Sequence, residues 1–450
     1  MKVLLLSINP VTVPYPVYPL GIEYVAGALS DRHQVHLADL NAMPGESALA
    51  DLLRTFRPDV VGLSIRNVDT TDIQAKTSFL EPYRQAAAQI RHHSSATLVL
   101  GGSGFTIFPD ELLVDLGADY GIVGEGERLD LLLEALEKGR EPTAINGVVG
   151  PDCPAAVPPP WRWRVNRRFN PRAGHIPYDL ARGGMLNLQT QRGCPYQCIY
   201  CTYPHIEGHE LRLFDPEDVA QMALDLQSAG ARFIYVTDAV FNANYAHAMA
   251  VAEAFLQAGL KVPWGAYFTP TRAPQGFFRL MRRAGLSHVE FGTEALNDEM
   301  LTIYRKPFDA GQVFSAHERA LTAGLNVAHF LLMGGPGETP LTLAQTLDNI
   351  DKLQHAVLFF FVGVRVYPHT RLYQIARDRG QIDAQQSLLS PIFYQAEQIR
   401  RSDIVAALIP HTAGRADRIV GSGDGDTVAT LTQLYKRGLS GPLWEHRIKK

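Results

Sequence analysis

Cysteine is scarce in this chain, with four in 450 residues. That excludes a disulfide scaffold and makes a reducing compartment, the cytoplasm, the expected location. No apolar run approaches the roughly 18 residues that a membrane-spanning helix needs, so no membrane partner is expected. The opening MKVLLLSINP meets a proline too early for a signal peptide and reads as a buried strand. Positive charge is not in excess either. A net charge of −4 and a pI near 6.4 weigh against a nucleic-acid binder that works through bulk electrostatics. Repeats of solenoid length and low-complexity tracts are also missing. What remains is an ordinary globular composition, 46% hydrophobic and 20% charged, in a chain long enough for about three domains.

The first third alternates strand and helix signals, with strands expected at 2–7, 34–38, 60–65, 97–101 and 120–123. Short apolar runs separated by amphipathic helices predict a doubly wound parallel sheet. Ligands of such sheets sit beyond the carboxyl ends of the strands, where glycine lets them approach the backbone. Three loops fall there: SIRNVDTTD, GGSGFTIFPDE and GEGE. None has the G-x-G-x-x-G form, so a dinucleotide is disfavoured.

Residues 153–179 are rich in proline and arginine and have no periodicity, which marks a linker. Trp161, Arg162, Trp163 and Arg164, with Arg167 and Arg168, have the form of a small nucleic-acid patch. Since nothing else in the chain is basic, these side chains are expected instead to pack over a domain seam through their stems. Beyond the linker, strands are expected at 185–190, 233–237, 264–269, 289–292, 328–333 and 362–367. Six βα units are too few for a closed eight-stranded barrel and suit a partial one, with its chemistry at the carboxyl ends of the strands. The boundaries follow: a first domain at 1–145, a linker at 146–184, a partial barrel at 185–385 and a mostly helical segment at 386–450.

Three of the four cysteines stand within eight residues, Cys194, Cys198 and Cys201 in GCPYQCIYC, just after the first barrel strand. Three thiolates so close cannot all bridge one another. Zinc would need a fourth ligand, and His205 is within sequence reach, but the separated knuckles usual for zinc are missing. An iron–sulfur cluster is held by cysteine thiolates, usually four. Three would leave one iron open, and an open metal position is where chemistry occurs. The spacing favours the cluster. Cys153 is expected to be structural or incidental.

The run from Cys194 to Cys201, with Tyr200 as the aromatic before the third cysteine, resembles the signature of radical S-adenosylmethionine enzymes. That resemblance implies a [4Fe–4S] cluster held by Cys194, Cys198 and Cys201, its open iron chelating S-adenosylmethionine. It also implies an electron donor such as a flavodoxin or ferredoxin. IYVTDAVFN resembles the second-strand motif and would put Asp238 near the cofactor. VEFGTEAL resembles the fourth-strand motif, with Glu294 at the ribose or the methionine amino group. LLMGGPGET resembles the glycine motif under the nucleoside, through Gly334 and Gly335. RVYPHTRLY resembles the sixth-strand ending, with Tyr367 bordering adenine. Where relatives carry a basic residue after the third-strand tryptophan, here Trp264, the chain reads GAYFTPTR, and Arg272 is a candidate partner for the methionine carboxylate.

The three loops of the first third resemble those of the cobalamin-binding domain fused ahead of the barrel in one large subgroup. The contacts so implied are Ser64, Arg66, Gly101, Gly102, Gly124, Glu125 and Gly126. The D-x-H-x-x-G motif that supplies an axial histidine is absent; Asp31 and His33 have the spacing but neither the glycine nor the place. No histidine–cobalt bond is expected. Arg66 could approach the corrin or pair with Asp69. The implied fold is a Rossmann-like domain followed by a partial (β/α)6 barrel.

With both cofactors, the subgroup's usual chemistry is methylation of an unreactive carbon or phosphorus of a small molecule or peptide. A second reading transfers a 3-amino-3-carboxypropyl group without cobalamin, and some relatives carry out ring rearrangements. A third, of another class, is a non-catalytic corrinoid or zinc protein. A nucleic-acid substrate is not expected, since the last residues carry no basic stripe. The substrate pocket is expected from the C-terminal segment and the linker. Tyr203, His205, His329 and His369 are read as packing or surface residues near the barrel mouth.

Overall fold

The computed structural model describes residues 1–450 except Pro14, Pro44, Glu46, Ala75, Lys76, Trp163, Arg164, Ser422, Asp424, Lys449, Lys450 and the side chain of Asp426. The chain divides into two compact units. The first is Met1–Thr70, Thr77–Ala181 and His205–Gly208; the second is Thr71–Lys76, Arg182–Pro204 and His209–Lys450.

In the first unit β1 (Lys2–Ser7), β2 (Gln34–Asp39), β3 (Val60–Ser64), β4 (Thr97–Gly101), β5 (Tyr120–Ile122) and β6 (Val148–Val149) form one sheet in the order β2-β1-β3-β4-β5-β6. The first five run parallel and β6 closes the edge antiparallel. Burial between helices explains why these strands read as short apolar runs. On one face the helices Leu20–Ala28 and Leu129–Glu137 set Ile22, Ala26, Leu129, Leu132 and Leu133 against Val3, Leu5, Val60 and Val99. Each Val, Leu or Ile side chain among them contributes about 1.5–3 kcal/mol of burial. The chain crosses from one side of β1 to the other between β2 and β3, and a crevice opens at such a reversal.

The arginines of the linker are engaged within this unit. Glu23 accepts hydrogen bonds from the Tyr18 hydroxyl and from Arg167 Nε at 2.6 Å, and lies 3.1 Å from His175 Nε2. Glu23, Arg167 and His175 all have side chains only 1% exposed. Arg168 pairs with Asp31 at 3.2 Å, and Arg128 lies 5.7 Å from the Trp161 ring. A Cβ on Gly27 would run into the Asn166 backbone, so the linker lies directly on the first helix. The stems of Arg167 and Arg168 thus pack within the first unit. Trp163 and Arg164 of that patch lie outside the described residues.

The second unit begins with β7 (Met185–Leu188) and a small antiparallel hairpin, β8 (Gln191–Arg192) and β9 (Arg212–Leu213). Then come β10 (Phe233–Val236), β11 (Trp264–Phe268), β12 (Leu286–Glu294), β13 (Asn326–Met333), β14 (Ala356–Val362) and β15 (Arg418–Val420). Seven described strands make one parallel sheet, β15-β14-β13-β12-β11-β10-β7, whose two edges do not pair. Tyr235 on β10 reaches Glu290 on β12, and Tyr267 on β11 reaches Phe330 on β13. Side chains two strands apart meet only across a concave face, so the sheet is a partial barrel. Its helices are capped as the sequence allows: Asp215 and Asn244 cap backbone N–H groups, and Asp309 and Thr339 form capping boxes.

The sixth barrel strand is Ala356–Val362 rather than 362–367, because Gly363, at φ 95°, ends the extended run. The segment after residue 385 is not wholly helical: Arg418–Val420 adds the seventh strand. Nor does the last turn build the mouth of the barrel. Trp444 Nε1 donates to Glu290 Oε1 at 2.8 Å and Glu445 Oε1 meets His288 Nδ1 at 2.6 Å. Near the amino-terminal start of β12, these residues close the floor.

Candidate active site

The cysteine loop leaves β7 at its carboxyl end and is pinned from several sides. Asp238, just beyond β10 and 1% exposed, accepts Thr190 N at 2.7 Å, Thr190 Oγ1 at 2.5 Å and Gln191 N at 3.3 Å. Ile199 N donates to Tyr304 O at 3.3 Å, and Leu372 N donates to Ile199 O at 2.8 Å. Asp238 therefore anchors the loop. Its oxygens accept these bonds from the segment that leads into the cysteines.

Behind the loop is a compact ionic group. Tyr200 Oη donates to Glu294 Oε1 at 2.5 Å, and Lys306 Nζ donates to the same oxygen at 2.8 Å. Lys306 Nζ lies 3.3 Å from Tyr200 Oη. Their aim comes from the backbone. The β12–β13 register shifts between Gly292 and Glu294, and Glu294 sits at φ 62°, a conformation rare for a residue with a side chain. Such bulges re-aim side chains beside functional sites. A Cβ on Gly292 would lie 3.4 Å from Glu294 Oε1, so glycine keeps the space in front of the carboxylate open.

Electrostatics sharpen the reading. Burial, joined by Cys198, pushes the Cys201 thiol up to about 12, and burial raises Cys198 too, against the pull of Lys306. Burial alone would lower Lys306, but Glu294 and Cys198 outweigh it and hold the ammonium charged. Cys194, Cys198 and Cys201 carry no disulfide. Thiols so placed become thiolates only when a positive centre meets them, and this donor set therefore fits an iron–sulfur cluster. Among the described residues, no His, Cys, Asp or Glu group is gathered as for one metal ion. His205 Nε2 meets Thr106 O at 3.1 Å, so the Cys3His zinc arrangement is not assembled.

The glycine motif after β13 folds on itself. Gly334, at φ 86°, donates its N–H to Glu338 Oε2 at 2.6 Å, and a Cβ on Gly335 would strike the Tyr304 ring. Burial lifts the Glu338 carboxyl to about 7. Tyr367 lies beyond the strand end, with the Arg365 guanidinium 4.6 Å from its ring.

In the first unit the seven expected contacts separate by environment. Ser64 ends β3, half-buried, and Arg66 just beyond it is exposed. No ion pair joins Arg66 to Asp69 among the described residues. A Cβ on Gly101 would meet nothing within 4 Å, which leaves open space at the end of β4. Gly102, at φ 98°, instead packs on the Ile65 backbone, and Gly126 packs on Val25. Gly124 takes φ 77° and donates to Thr106 Oγ1 at 2.9 Å. Glu125 pairs with Arg128 at 3.2 Å and accepts Trp161 N at 3.1 Å. At the end of β4 the Gly101 backbone is open to approach; Gly102, Glu125 and Gly126 have scaffold contacts beside it.

Other singled-out residues lie apart. His329 is fully buried, bonded to Thr293 Oγ1 at 2.7 Å and to His317 at 3.1 Å. It belongs to the layer between β13 and the helix Ala310–Thr322, not to the mouth. Tyr203 and His369 are exposed. Arg272 lines a surface pocket with Tyr245, Gln275 and Arg319. Lys306 went unseen in the sequence, since no motif marks it.

Residues 188–350 match the radical SAM superfamily model and residues 7–133 match the B12 binding domain model. Tryptophan 2-C-methyltransferase of Streptomyces laurentii is 24% identical over 81% of this chain and 73% of its own. Cytidylyl-2-hydroxyethylphosphonate methyltransferase of Streptomyces wedmorensis is 24% identical over 85% of this chain and 82% of its own. Among solved structures, the radical S-adenosylmethionine methyltransferase TsrM of Kitasatospora setae, with tryptophan and a SAM analogue, superposes with a TM-score of 0.86. It is 22% identical, covering 99% of this chain and 97% of that one. The cobalamin-dependent S-adenosylmethionine radical enzyme OxsB superposes with a TM-score of 0.72 at 16% identity, covering 92% of this chain and 67% of that one.

Proposed function

We propose that this chain, which carries a B12 binding domain ahead of a radical SAM domain, is a cobalamin-dependent radical S-adenosylmethionine methyltransferase acting on a small molecule. The observation that carries the reading is the cysteine loop with the Glu294–Lys306–Tyr200 group behind it. Cys194, Cys198 and Cys201 hold the [4Fe–4S] cluster, and the open end of β4 with Ser64 and Arg66 receives cobalamin. When bound, the cluster supplies an electron and an open iron for S-adenosylmethionine, and cobalamin supplies the methyl carrier. Glu294 accepts from the methionine amino group or ribose; Gly334 and Gly335, the latter packed on the Tyr304 ring, lie under the nucleoside, and Tyr367 borders adenine. A flavodoxin or ferredoxin in a reducing cytoplasm is the matching electron source. No helix among the described residues is long and apolar enough to cross a membrane.

Lys306 supplies the cation that the third strand lacks, next to Glu294 and within the cysteine site. It is the partner assigned here to the methionine carboxylate in place of Arg272, and it removes the main motive for carboxypropyl transfer. Losing a charge-assisted hydrogen bond costs about 1.5–3 kcal/mol, or roughly 10- to 100-fold in affinity. Lys306→Gln is therefore expected to raise the KM for S-adenosylmethionine by about that factor while iron content stays at the wild-type level. An unchanged KM would return the role to another residue.

Arg66→Ala is expected to shift the visible absorption of bound cobalamin and leave iron content unchanged. An identical spectrum would separate Arg66 from the corrin. The reaction class is tested by its co-product. S-adenosylhomocysteine from the reduced, reconstituted protein supports methyl transfer; methylthioadenosine as the main product would replace it with carboxypropyl transfer.

A further inference from the structure

Large aromatic side chains of a folded protein are normally covered. Among the described residues, Tyr203 and Tyr267 are the aromatic side chains that stand out as exposed, and Tyr267, 42% exposed, lies on a strand. It stands next to last in β11, on the concave face, its ring 6.2 Å from Phe330 at 65°. Phe330 stacks on Phe359 at 4.8 Å and 6°, and Phe361 follows at 6.4 Å and 21°. All three phenylalanines are half-buried. The wall therefore runs across β11, β13 and β14, while β12 contributes Gly292, which leaves the middle open.

The polar groups around this wall are already engaged. Glu290 accepts from Tyr235 Oη at 2.6 Å and from Trp444 Nε1. Glu294 is paired with Lys306, and Arg365 donates to the Val366 and Leu388 carbonyls at 2.6 Å. None of these is placed to receive a phosphate or carboxylate at the aromatic wall. Tyr267 is instead preorganised: its ring stands edge-on to Tyr235 at 5.5 Å, and Tyr235 is held by Glu290. Rings arranged this way accept another ring stacked or edge-on, which gives more than apolar contact alone.

We infer that the barrel lumen takes a planar aromatic substrate, seated against Tyr267 and Phe330 with the Tyr267 hydroxyl at its edge. This rests on the methyltransferase reading for what happens to the substrate, but not for its binding. Phosphorylated, sugar-like and saturated polycyclic substrates fit the wall less well.

The test uses the full chain with its cluster restored, by anaerobic equilibrium dialysis against two tritiated aromatic–saturated pairs of equal charge, L-phenylalanine with L-cyclohexylalanine and benzyl alcohol with cyclohexylmethanol. One aromatic contact is worth about two- to tenfold in affinity. At least one aromatic probe is expected to bind about tenfold or more tighter than its saturated counterpart. Tyr267→Leu and Phe330→Leu, which keep apolar volume, are expected to bring the two together while iron content persists. Equal binding of aromatic and saturated probes, or no binding of either aromatic probe, would overturn the inference. So would variants that keep the wild-type preference. Failure of the methyltransferase reading looks different: no S-adenosylhomocysteine forms, whatever the probes do.

Discussion

Replacing any one of Cys194, Cys198 or Cys201 by alanine is expected to take iron from about four per chain to below one after reconstitution. Formation of S-adenosylhomocysteine should fall to background. The effect is this large because each cysteine supplies one of only three thiolate ligands in the loop, Cys194 from a buried position and Cys198 and Cys201 from half-buried ones. Burial holds Cys198 and Cys201 as thiols until iron neutralises them, and Asp238 and Tyr304 fix the loop where the cluster must sit. Two cysteines would leave two irons unligated. Cys153→Ala is the control: it lies in the first unit, and iron should remain at the wild-type level. If a single substitution within the loop kept about four irons, the cluster would have to be held elsewhere.

The largest stability effect is expected far from the chemistry, at Glu23. Its carboxylate and the Arg167 guanidinium are both 1% exposed. Arg167→Met leaves Glu23 buried without its cation, and breaking such a pair from one side costs about 3–5 kcal/mol. Urea or thermal unfolding of the first unit's transition checks the size. The double change Glu23→Gln with Arg167→Met should recover part of it, since no unpaired charge remains. The pair also gives a pH dependence. Burial works to raise the Glu23 carboxyl, but Arg167, His175 and Tyr18 outweigh it and hold it below the usual value. A carboxyl lowered in the folded state contributes stability above the unfolded pKa, near 4.5, and loses that contribution as pH falls. Acid should therefore release the linker in the wild type, and less so in the double variant.

Much of this was legible in the residues themselves. The alternation of short apolar runs and helices placed most of the strands, because parallel sheets are buried on both faces. The cysteine spacing located the site, and Glu294, Gly334 and Tyr200 stood in motifs. The strands that escaped, β6, β8, β9 and β15, have two or three residues, too few for any period to show. The sixth strand was displaced because 356–367 is apolar on both sides of Gly363, and only a positive φ marks the break. Lys306 escaped for a different reason. It enters the site through a backbone turn at Arg305, φ 56°, and a bulge at Glu294, φ 62°, neither of which has a sequence signature. Of the glycines beyond β4 and β5, Gly102 and Gly126 lie against packed scaffold and Gly101 opens onto space, a difference the glycine pattern alone does not show. Trp444 and Glu445 lie in the C-terminal segment from which the substrate pocket was expected, and they close the barrel floor.

The most direct test of the central claim is metal content measured together with product. The protein is purified without oxygen, supplied with iron, sulfide and hydroxocobalamin, desalted, and then given S-adenosylmethionine and a reductant. The account predicts about four irons and one cobalt per chain, with S-adenosylhomocysteine formed. Iron without cobalt, and methylthioadenosine in place of S-adenosylhomocysteine, would contradict it.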